Sequence, residues 1–147
     1  MRVSIIMFRK TIDHEFFGCL IHSNGCWNKE MDFPPCNGKI FLYVYTEKKE
    51  IDSRFVDVWK RIYANYHDIV IDTANIISDY YSSSDLPAIE LKDDFKFDDV
   101  SLEAIGIEKD LSARFYWGVI TKGEEDYIFQ VVTEYVDGQS RVLGASD

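Results

Sequence analysis

Proline, cysteine and cationic side chains are all scarce in this chain. Its three prolines stand at Pro34, Pro35 and Pro87, so only two places in 147 residues carry a proline break. The three cysteines, Cys19, Cys26 and Cys36, are an odd number, and with no export signal they are expected as free thiols, not as a disulfide framework. No stretch approaches the ~18 to 20 apolar residues of a membrane-spanning helix. The early apolar run Val3, Ile5, Ile6, Met7, Phe8 meets Arg9, Lys10, Asp13 and Glu15 before any small-residue cleavage site, so it does not read as a signal peptide. The expected compartment is the cytoplasm. Catalytic signatures are missing too: there is no P-loop, G-x-S-x-G, H-E-x-x-H, EF-hand loop or dinucleotide fingerprint. The expectation is a protein that is not an enzyme and carries no cofactor.

The shortage of cations is local. Lys and Arg number 16 against 26 Asp and Glu, a net charge of −10. Residues 85–147 hold 15 acidic and 6 basic side chains, a net −9, while residues 1–84 hold 11 and 10, a net −1. A field of that sign repels nucleic acid and anionic membrane and attracts a basic protein surface. Hydrophobic content of 46% with 15% aromatics is that of a globular chain, and the length suits one domain spanning residues 1–147.

Strands are expected over Val3 to Arg9, Glu15 to Ser23, Cys26 to Phe33 and Lys39 to Glu47. Asn24-Gly25 joins the second and third as a tight hairpin, because a type I′ turn needs positive φ at both central residues. Pro34-Pro35-Cys36-Asn37-Gly38 interrupts the sheet before the fourth strand. From about Arg54 to Tyr81 there is no Gly or Pro, Asp52 or Ser53 can cap the start, and Phe55, Trp59, Ile62, Tyr66, Ile69, Thr73, Ile76 and Tyr80 recur at spacings of four and three. That predicts one long helix with a buried stripe, widened by Val58, Val70 and Ile77. After the Ser82 to Pro87 break, Asp98 to Ile105 reads as a short second helix, with Asp98 or Asp99 as N-cap and Gly106 as C-cap. Strands Ala113 to Thr121, Tyr127 to Val136 and Arg141 to Gly144 close the chain, the last two joined at Asp137-Gly138. The fold class is α+β: a largely antiparallel sheet, an N-terminal meander plus a C-terminal hairpin, packed against one long helix and a short second helix.

Candidate chemistry is thin. Cys19, His22, Cys26 and Cys36 have the residue types of a zinc site, yet Cys19 and His22 stand at odd separation on one strand and so face opposite ways. No metal is expected. Cys36 lacks any local cation or helix N-terminus to activate it as a nucleophile, and His67 and Asp68, adjacent on a helix, point about 100° apart. The carboxylate clusters Asp93-Asp94, Asp98-Asp99 and Glu124-Glu125-Asp126 are adjacent loop residues, not groups held across a cleft, so they read as a protein-binding or solvated rim. Alternation places Phe115 and Trp117 on one face of their strand and Tyr116 on the other. Tyr116 and Tyr127 beside the acidic rim are the aromatic anchors such a surface would use.

Phe17-Gly18 opening a strand, a strand leading into a Trp- and Tyr-bearing helix, the Ile105-Gly106-Ile107 step into a hairpin and the closing Val-Leu-Gly-Ala-Ser-Asp over residues 142–147 resemble a group of small bacterial α+β domains. That group includes immunity proteins of polymorphic and contact-dependent toxin systems. The resemblance spans roughly residues 15 to 147. It implies a cytosolic protein that neutralises a basic, nuclease-type toxin domain by covering its active surface, with no catalytic residue of its own. The partner-binding residues expected are Asp93, Asp94, Asp98, Asp99, Glu124, Glu125, Asp126, Tyr116 and Tyr127. An acidic adaptor domain is the alternative reading. An enzyme is a second one, and would need separated groups such as Cys36, His22 and a carboxylate to converge in one pocket.

Overall fold

A computed structural model describes residues 10–46, 50–83, 91–122 and 129–146. The expected strand over Val3 to Arg9 lies outside the described residues. Eight strands form a single sheet in sequence order: β1 (Thr11–His14), β2 (Gly18–Ser23), β3 (Cys26–Phe33), β4 (Gly38–Val44), β5 (Val100–Ile107), β6 (Ala113–Val119), β7 (Phe129–Val136) and β8 (Gln139–Ser146). The helix α1 (Ser53–Ser83) lies between β4 and β5 in the chain. All neighbours are antiparallel except β4 and β5, the pair that α1 connects. The molecule is two four-stranded meanders joined along one parallel seam.

Turn chemistry sets the first meander. Asn24 and Gly25 take φ of 53° and 80°, as the tight hairpin requires, and Asp137 and Gly138 repeat this with 51° and 78° between β7 and β8. A strand was expected over Glu15 to Ser23; instead residues 15–17 form a turn, β2 begins at Gly18, and the residues before the turn form the additional strand β1. His14 holds that turn. Its Nδ1 accepts the N–H groups of Phe16 and Phe17, both at 3.1 Å, so Nε2 carries the proton and donates to the Ile51 carbonyl at 3.0 Å. One imidazole thereby ties the β1–β2 turn to the segment that enters α1.

The stripe on α1 packs as its spacing predicts as far as Thr73, while Ile76 and Tyr80 are only half-buried. Phe55, Trp59, Ile62, Tyr66, Ile69 and Thr73 are buried, with Val58, Val70 and Ile77 beside them. The Asp52 carboxylate accepts the Arg54 N–H at 2.9 Å, the capping role foreseen for it. Trp59 packs edge-on against Phe17 and Phe33, and Tyr66 stacks on Trp117 at 6.4 Å. At 31 residues α1 is about 46 Å long, enough to cross an eight-stranded sheet about 34 Å wide. The core therefore lies on one face of the sheet. No helix among the described residues is long and apolar enough to cross a membrane.

Thr73 is the one polar member of the stripe. It is fully buried, and its Oγ1 has no hydrogen-bond partner among the described residues. Thr73→Val keeps the shape and removes an unsatisfied hydroxyl, so it should stabilise the protein by about 1 kcal/mol. A urea midpoint that falls on this substitution would show that the hydroxyl has a partner after all.

The short second helix is corrected. Only Phe97–Asp99 form a single 3-10 turn, and from Val100 the chain is β5, with Gly106 inside the strand instead of capping a helix. A bulge between Leu102 and Ala104 accounts for the misreading. It inserts one residue, so the core-facing positions run Val100, Leu102, Ile105, Ile107, and the step of three from Leu102 to Ile105 imitates a helical spacing. The expected C-terminal hairpin is likewise larger, a four-stranded meander from β5 to β8.

Candidate functional site

No described element packs on the face of the sheet opposite α1, and that face carries an ordered row of side chains. Strand β4 alternates Ile40, Leu42 and Val44, buried towards the helix, with Phe41, Tyr43 and Tyr45 on the open side. The seam register then places residues in lines across the strands. Glu30 pairs with Phe41, Phe41 with Ala104 and Ala104 with Tyr116. One step along, Asn28 pairs with Tyr43, Tyr43 with Gly106 and Gly106 with Arg114. In both lines β5 contributes a small residue between larger neighbours. A Cβ added at Gly106 would lie 3.6 Å from the Tyr45 ring. The result is a shallow trough of about 660 Å³ with β5 as floor, Phe41, Tyr43 and Tyr45 along one wall and Tyr116 on the other.

Its polar lining holds neutral phenols, two carboxylates and the Lys39 ammonium, which pairs with Asp32 at 3.8 Å. Burial, with Cys26, Tyr116 and Glu108 adding to it, pushes the Tyr45 hydroxyl up to about 12. Tyr43 moves the same way, again chiefly through burial. Both are uncharged donors at neutral pH. Glu30 and Glu103 stand at the rim, and Glu103 accepts a 2.8 Å hydrogen bond from the Gln130 amide. Phe41, 47% exposed, lies nearly parallel to Tyr43, with ring centroids 6.4 Å apart. Phe41 is one of several large apolar side chains left exposed, with Phe16 and Tyr63 among them, and burying it would gain ~1.5 kcal/mol or more.

The chain matches no protein-family model, no curated protein and no solved structure.

The described residues among those foreseen as partner-binding fall in two places, Tyr116 on the sheet face and the aspartates in the segment before β5. Tyr116 lies on the open face and lines the trough, its predicted opposition to Phe115 and Trp117 being observed. Glu124, Glu125, Asp126 and Tyr127 lie outside the described residues. Asp93, Asp94 and Asp98 are exposed in the segment before β5, where Asp93 reaches Lys122 at 4.0 Å and Asp98 reaches Lys96 at 3.9 Å. Asp99 is placed differently: it is 4% exposed, its carboxylate accepts the Lys96 N–H at 3.0 Å, and it lies 3.2 Å from the Lys92 ammonium. That carboxylate closes the 3-10 turn and offers no surface.

A second cleft, about 650 Å³, opens between α1 and the Pro34–Cys36 turn and has Cys36, His67 and Asp98 in its lining, each from a different element. The thiol is turned inward. It donates to the Phe33 carbonyl at 3.3 Å and burial raises its pKa, the reverse of what a nucleophilic cysteine needs. His22, the other imagined partner, lies at the opposite end of β3, edge-on to Trp27. Cys26 is buried, with its thiol near the Ser23 carbonyl at 3.5 Å, and Cys19 is exposed. No group of three or more His, Cys, Asp or Glu is placed to hold a metal among the described residues.

Sequence reasoning missed Phe41, Tyr43, Glu30 and Glu103. The available signal was Ile40-Phe41-Leu42-Tyr43-Val44-Tyr45, in which both alternating sets are large and apolar. A strand covered by a helix on one side only cannot bury both sets.

Proposed function

We propose that this protein is a binding module without a reaction of its own, which covers part of a basic protein partner, in the manner of an immunity protein neutralising a toxin. One observation carries the reading: the uncovered sheet face presents the exposed Phe41 among the half-buried rings of Tyr43, Tyr45 and Tyr116, flanked by carboxylates, the combination of aromatic anchor and charged rim that protein interfaces use. The charge of −10 supports a basic partner, and a nuclease-type toxin domain must be basic where it holds nucleic acid. Covering that surface blocks substrate entry with no chemistry at all.

The test is direct mixing with the purified basic C-terminal domain of a toxin-like protein encoded beside this gene. A stable complex is expected, with an association rate that falls at least about tenfold from low to high salt and with loss of the domain's nuclease activity. Failure of the two proteins to associate at low salt, where charge attraction is strongest, would overturn the reading.

A further inference from the structure

We propose that the trough is a receptor for an arginine side chain of the basic partner, an inference that rests on the binding reading above and names the group recognised. The charges around the trough select a cation. Lys39 is matched by Asp32 at 3.8 Å and Arg114 by Glu108 at 3.4 Å, so both cations nearby already have a carboxylate. Glu30 and Glu103 meet no cationic group among the described residues, and Glu103 has only the neutral Gln130 amide. Two uncompensated carboxylates therefore stand at the rim of an aromatic depression, and an anionic ligand would be repelled there.

The exposed ring selects a flat cation. Phe41 and Tyr116 stand on β4 and β6 with Ala104 on β5 between them in register, so their backbones are two strand spacings apart, about 10 Å. The Phe41 ring is 47% exposed and lies nearly parallel to Tyr43 of its own strand, with centroids 6.4 Å apart, so a planar group entering over the Ala104 floor can stack on it. Guanidinium is planar, weakly hydrated, stacks on aromatic faces and offers paired N–H donors to a carboxylate such as Glu103 or Glu30. Lysine's ammonium is a compact, strongly hydrated point charge and would use the carboxylates but not stack on the ring. The neutral phenols of Tyr43 and Tyr45 add no competing charge.

The probe is a short glycine-flanked arginine peptide titrated into the isotope-labelled full chain and followed by amide NMR, beside the same peptide with lysine and with citrulline, the uncharged isostere. The arginine peptide should shift amides at Glu30, Phe41, Glu103, Ala104 and Tyr116, bind at least about threefold more tightly than the lysine peptide, and lose binding when citrulline replaces arginine. The double variant Glu30→Gln with Glu103→Gln should weaken the arginine peptide at least about fivefold, and its unchanged spectrum elsewhere will show that the fold is intact. Equal shifts from the citrulline peptide, or unchanged affinity in the double variant, overturn the proposal. Arginine-dependent shifts confined to Asp93, Asp94 and Asp98 overturn it as well, while leaving the basic-partner reading in place. A trough footprint for arginine together with no complex with the toxin-like domain supports the receptor and removes that partner.

Discussion

Truncating Trp117 to alanine should lower the unfolding free energy by about 4 kcal/mol, a large share of the ~5 to 15 kcal/mol that holds a domain of this size together. Trp117 is fully buried at the centre of the second meander. It stacks on Phe115 at 5.6 Å, faces Tyr66 of α1 at 6.4 Å, and its indole N–H donates to Thr133 Oγ1 at 2.8 Å. Removing it opens a cavity where the helix and the sheet meet. The polar part can be separated from the packing part with Thr133→Val, which preserves shape but leaves the indole N–H unpaired in a dry core, at about 2 kcal/mol. The same substitution at Thr73 carries the opposite sign, because there it is the hydroxyl that lacks a partner. Urea denaturation of the variants reads all three effects. A Thr133→Val midpoint equal to that of the parent would mean that the hydrogen bond contributes nothing.

Phe41→Ala should barely change stability yet weaken the complex with the basic partner about thirtyfold, some 2 kcal/mol of binding free energy. Phe41 is half in solvent, so its truncation leaves no enclosed cavity, while in a complex its ring would be the best desolvated anchor on the open face. Tyr116→Ala should act through the same trough, and the two losses should not add, since both residues line one site. Substitutions of the exposed carboxylates Asp93 and Asp98 should instead alter the association rate a few-fold and leave dissociation nearly unchanged. Surface plasmon resonance separates these outcomes. A Phe41→Ala variant that dissociates at the parent's rate, alongside a slow-binding Asp93 variant, would move the interface from the sheet face to the acidic loop.

The helix was fully legible in the sequence because a 31-residue amphipathic stripe repeats its message at Phe55, Trp59, Ile62, Tyr66 and Ile69. The hairpins were legible because Asn24-Gly25 and Asp137-Gly138 have one favoured geometry. Strand β5 was hidden by its bulge, a feature that follows from pairing with β6 and leaves no local sign except a spacing that looks helical. The trough was hidden for a related reason. Glu30, Phe41, Ala104 and Tyr116 lie on four strands, and only the register across the seam puts them in line. Charge was readable as a total, while the placement of single carboxylates needed the fold: Asp99 serves the 3-10 turn, and Glu30 and Glu103, one from each half of the chain, stand at the rim.

The parallel seam between β4 and β5 joins positions far apart in the chain, Phe41 meeting Ala104 across 63 residues, whereas every other strand pair is a local neighbour. Each meander can form from short-range contacts, but the seam must close a loop that contains all of α1. The trough straddles that seam, one wall belonging to each half. The proposed recognition is thus a property of the assembled tertiary structure alone: neither meander carries both walls, and a chain caught before its halves dock would have no trough to offer a partner.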